Sequence, residues 1–153
     1  MKKIALIFLL LAPFAAVAAG GGVSTHIMTF VEKTMPSDNG ATKVVLEAPS
    51  QVFPGDKIVY VLSYHNGGAA PAGNFSITDP IPPSLTFEGT PDANALVSVD
   101  GGKSWGNLAT LKITTAAGTR AARPEDVTHI RWALNTPIPA GGDGKLSFRG
   151  TVK

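Results

Sequence analysis

The chain contains no cysteine, which excludes disulfides and thiolate metal sites and leaves an apolar core as the source of stability. It also lacks a second long hydrophobic run: after the first segment, no stretch reaches the length of a bilayer-spanning helix. An excess of one charge is missing too. Once Lys2 and Lys3 are set aside with the amino-terminal segment, eleven Lys and Arg face eleven Asp and Glu. Nucleic-acid grooves and polybasic membrane patches draw on clustered basic residues, so no nucleic-acid partner is expected. Beyond that segment there is no convincing 3.6-residue periodicity, which argues against a helical domain.

What is present begins with an export signal. Met1-Lys2-Lys3 precedes the apolar run Ile4 to Val17, and Ala16-Val17-Ala18 has the small-x-small form that signal peptidase cleaves. Residues 1–18 are therefore expected to leave, with Ala19 the first mature residue and no membrane span in the mature chain. The expected location is periplasmic, cell-surface or extracellular. Residues 19–41 read as a glycine-rich tether and an amino-terminal strand, and residues 42–153 as one sandwich domain.

Alternation and turn residues predict the strands. His26 to Lys33 is apolar on both faces, Thr42 to Glu47 follows, and Lys57 to His65 alternates with Ile58, Tyr60, Leu62 and Tyr64 on one side. Phe75 and Ile77 point inward before Pro80, Pro82 and Pro83. Leu85 to Gly89, Leu96 to Asp100 and a weaker Leu108 to Thr115 come next, then a loop over Ala116 to Asp126. Val127 to Asn135 and Lys145 to Lys153 alternate again, with Trp132 and Phe148 inward. About seven to nine short strands separated by Gly and Pro turns predict an all-β, immunoglobulin-like antiparallel β-sandwich.

Three of these segments carry a family pattern: Pro54-Gly55-Asp56, Tyr60 to Gly67 with its Asn66-Gly67 ending, and Asp79-Pro80-Ile81-Pro82-Pro83-Ser84-Leu85. With Pro139-Ala140-Gly141 and Leu146 to Arg149, they resemble the bacterial and archaeal conserved repeat domain family, also called domain of unknown function eleven. The resemblance spans roughly residues 43–153. It implies an immunoglobulin-like domain of an exported surface or envelope protein, with no activity attached.

The motifs that could carry chemistry favour structure. Ser98-Val99-Asp100-Gly101-Gly102-Lys103-Ser104-Trp105 follows the Asp-box pattern, in which the carboxylate and glycines build a hairpin turn and the indole covers it. His26, His65 and His129 stand singly, Asp92 and Asp100 lie in no calcium-loop spacing, and no nucleophile sits in a recognisable catalytic context. No catalytic residue, metal or cofactor is expected.

The expected role is that of an exported, non-enzymatic structural or adhesive module of a bacterial envelope, working by protein contact or self-assembly. An exposed sheet edge can accept a strand from a neighbour. Ile27, Met28, Phe30 and Val31 are the candidate contact residues, in a strand that either completes a neighbour's sheet or folds back on its own domain. The alternative is a secreted carbohydrate-binding module using Trp105 against a glycan.

Overall fold

The computed structural model describes residues 22–38 and 40–153; the expected export signal and the expected first mature residue Ala19 lie outside the described residues. Ten strands are found among them: β1 (Val23–Pro36), β2 (Thr42–Glu47), β3 (Lys57–Asn66), β4 (Phe75–Pro80), β5 (Leu85–Gly89), β6 (Ala95–Ser98), β7 (Lys112–Thr115), β8 (Gly118–Ala121), β9 (His129–Leu134) and β10 (Asp143–Val152). They form a five-stranded sheet in the order β2-β1-β3-β10-β5, a three-stranded sheet β4-β9-β6 and the separate hairpin β7-β8. Every pairing is antiparallel.

One core lies between the two larger sheets. Ile58, Tyr60 and Leu62 of β3 and Leu146 and Phe148 of β10 meet Phe75 and Ile77 of β4 and Ile130 and Trp132 of β9. These are the apolar phases of their strands, so alternation in the chain becomes a two-layer packing. Tyr60 stacks on Phe148 with ring centroids 4.7 Å apart, and Trp132 tilts against the same ring at 6.3 Å. Gly150 occupies the next inward position of β10, and a Cβ there would collide with Leu85. A bulge between Arg149 and Gly150 falls at this close approach to β5.

The turns have local causes. Before β3, the Asp56 carboxylate accepts the Phe53 N–H at 2.8 Å, while Gly55 takes φ +94° between them. In the β7-β8 hairpin, β7 falls within the expected weak strand and β8 is the one strand beyond the expected set. β8 spans Gly118–Ala121, where the sequence reads as loop because Gly118-Thr119-Arg120-Ala121 has no apolar phase. Arg120 anchors it instead, forking onto both Asp126 carboxylate oxygens at 2.7 and 2.9 Å.

β1 is an interior strand of its own sheet. Val23 to Glu32 pair with β3 and Val31 to Pro36 pair with β2, so a strand lies on both sides of it at Val31 and Glu32, while Val23 to Phe30 have a strand partner on the β3 side alone.

Candidate functional site

β1 divides its apolar residues between two faces. Val31 is in the core and Ile27 packs against it, whereas Met28 is 37% exposed and the half-buried Phe30 shares the outer face of the five-stranded sheet. Phe30 pairs with Val59, which is buried yet lies on that outer phase, with Arg149 on its other side. Arg149 reaches over to Glu32 at 3.0 Å. Of the two arrangements open to β1, folding back on its own domain is the one seen.

β2 is an edge strand of the five-stranded sheet. Among the described residues it pairs only with β1, and its consecutive Val44-Val45-Leu46 leaves Val44 58% and Leu46 44% exposed. β4 likewise pairs with β9 alone, but its inward Phe75 and Ile77 are buried, and the remaining outer strands of the two larger sheets have neighbours at their free sides. The four-residue β6 is met by Gly106 in an isolated bridge, and β5 packs against the 3₁₀ turn Pro124–Asp126. Val44 and Leu46 share the outer face with Met28 and Phe30, since Thr34 pairs with Val44 and Glu32 with Leu46. The apolar triplet Val44 to Leu46 was the available sequence signal: no phase of β2 can hide all of it.

Trp105 sits elsewhere, over the outer face of the three-stranded sheet. The Arg131 guanidinium lies 3.8 Å from the centre of its ring, and His129 meets it edge-on at 6.4 Å. The indole N–H donates to the Gly102 carbonyl at 3.0 Å. Asp100 is equally committed: it accepts from the backbone of Lys103 and Ser104 and from the hydroxyls of Ser98 and Ser104. The Ser104 hydroxyl, with these other donors, holds the Asp100 carboxyl well below the usual range. The Asp-box residues therefore build and cover a hairpin turn, with a cation occupying one ring face of Trp105.

Two shallow clefts of about 260 and 290 Å³ share Tyr64 and Asp143 at one end of the sandwich. In the second, His65 Nδ1 lies 2.7 Å from Asp143 Oδ1, with His26 nearby on the adjoining strand. Among the described residues no three His, Cys, Asp or Glu side chains are grouped to hold a metal ion. No described helix is long and apolar enough to cross a membrane.

Two polar residues inside the sandwich carry roles that the sequence reading did not assign. Asn66 is fully buried at the end of β3, and Asp79 is buried on the inward phase of β4. Burial pushes the Asp79 carboxyl up to about 6. Comparison with known proteins yields no match to a family model, a curated protein or a solved structure.

Proposed function

We propose that this chain is an exported, non-enzymatic structural or adhesive module of a bacterial envelope, of the conserved repeat domain kind, acting by protein contact at the β2 edge. The observation that carries this reading is the edge itself: a six-residue strand unpaired on one side among the described residues, with Val44 and Leu46 turned to solvent. An unpaired strand offers a row of main-chain donors and acceptors, and exposed aliphatic side chains add area to whatever pairs there. The contact surface assigned to β1 on sequence grounds is thereby moved one strand outward, with Met28 and Phe30 continuing it across the outer face.

A photoreactive residue in place of Val44, introduced in cells of the source organism, tests the reading. Covalent adducts to protein are expected in the envelope fraction. A control substitution at Thr119, on the exposed β7-β8 hairpin, is expected to give few. Equal labelling at the two positions, or none at Val44, would contradict a contact at this edge.

A further inference from the structure

We propose that the occupant of the β2 edge is a second copy of this chain, paired β2 to β2 in antiparallel fashion about a two-fold axis through Val45. This rests on the edge-contact reading above and names its partner. The main-chain directions follow from the β1-β2 hairpin. Ser37 N–H donates to the Ala41 carbonyl at 2.7 Å, and the same register continues through Met35↔Lys43, Lys33↔Val45 and Val31↔Glu47. Hydrogen-bonded and non-hydrogen-bonded pairs alternate along an antiparallel ladder. Lys43, Val45 and Glu47 therefore direct their backbone groups to β1. Val44 and Leu46 direct theirs away from it, to the side that no described strand occupies. The other flank of β1 has the complementary phase, as it must: Gly67 N–H donates to Gly22 C=O at 2.8 Å, so the even-numbered residues of β1 bond towards β3.

That parity restricts how two copies can pair, because Val44 and Leu46 must face residues whose groups also point outward. With Val45 opposite itself, Val44 faces Leu46 of the second copy and the two exchange a pair of backbone hydrogen bonds, which the two-fold axis repeats. Val44 and Leu46 lie on the same outer face, so the two exposed aliphatic side chains meet across the junction. On the inner face the same register sets Lys43 opposite Glu47 of the second copy, again twice.

The charges single out this register. A lysine on an edge strand ordinarily discourages pairing. Sliding one copy by two residues, the smallest slip that keeps the parity, places Lys43 or Glu47 opposite Val45. A slip of four sets Lys43 against Lys43, or Glu47 against Glu47. Only with Val45 on the axis does each lysine meet a carboxylate. Glu47 already holds Lys33 by Oε2 at 2.9 Å, and the incoming Lys43 would share that carboxylate. Because the pairing consumes the same strand on both partners, it closes at a dimer.

Sedimentation equilibrium at low ionic strength, where screening of exposed charges is weakest, tests this with the purified protein. The unaltered chain is expected to be a dimer. Lys43→Glu and Glu47→Lys, each of which creates two like-charge contacts across the axis, should weaken it by about tenfold or more. An equimolar mixture of the two variants should dimerise again, since each then supplies the charges that the other lacks, and the double exchange within one chain should do the same. A dimer indifferent to the exchanges, or a mixture that does not recover, would overturn the pairing. A chain that stays monomeric at high concentration would also overturn it; Val44 adducts to a different envelope protein would then leave the edge-contact reading standing, whereas no adducts would remove both.

Discussion

Asn66→Ala is expected to destabilise the fold by about 3 kcal/mol, and Asn66→Asp by more at neutral pH. The side chain is fully buried and joins two loops that are far apart in the chain. Its Nδ2 donates to the carbonyls of Ala70, Ile138 and Pro139 at 3.0, 2.9 and 3.1 Å, and its Oδ1 accepts the Gly68 N–H at 3.0 Å. The main chain repeats the junction, with Asn66 N–H on the Gly142 carbonyl and Gly141 N–H on the Asn66 carbonyl. Alanine would strand these partners without water, which costs more than the hydrogen bonds themselves contribute. Aspartate keeps the shape but presents an acceptor to three carbonyl oxygens, so only its protonated form fits. Urea unfolding should therefore find Asn66→Asp less stable than Asn66→Ala at pH 8, with the gap narrowing as pH falls.

Asp79→Asn should have the opposite effect, stabilising the protein by about 2–3 kcal/mol at pH 8. Asp79 is 6% exposed, and burial raises its carboxyl from 3.8 to about 6. A raised value in the folded state means that the unfolded chain releases this proton first. The contribution of protonated Asp79 is complete below pH 3.8 and is lost as pH rises through about 6. Asparagine removes the need to bury a charge, so the advantage of the variant should be near zero at low pH and grow through that window to a plateau. Asp126 and Glu88, whose carboxyls are lowered chiefly by hydrogen bonds from Arg120 and Thr151, act in the other direction in more acidic solution. Unfolding free energies of both proteins across pH 4 to 8 isolate Asp79, since the other groups are common to the pair. A constant difference at every pH would assign the effect to packing and not to titration.

Much of the sandwich is legible where one face of a strand is apolar and the other polar. β9 and β10 bury the side chains that their alternation marks, and Thr42–Glu47 is predicted to its ends. Asp79 could have been read the same way, because the phase that buries Phe75 and Ile77 runs on to it. β8 could not, as its pairing rests on a turn and on Arg120 without an apolar phase. Nor could Asn66, which reads as a turn former until the loop at residues 137–142 comes to meet it. The candidate contact surface was half legible. Two-faced apolarity marks both β1 and β2, but which of them stands at the edge is set by pairing order, a tertiary property that no local pattern records.

Residue-resolved hydrogen exchange of the β2 amides, measured at high and low protein concentration, tests most directly that the free side of this strand is the contact surface. The Val44 and Leu46 N–H groups should exchange slowly in concentrated solution and rapidly on dilution, while the Val45 N–H, bonded to β1, stays slow in both. Val44 and Leu46 amides that exchange at the same rate at every concentration would contradict the account.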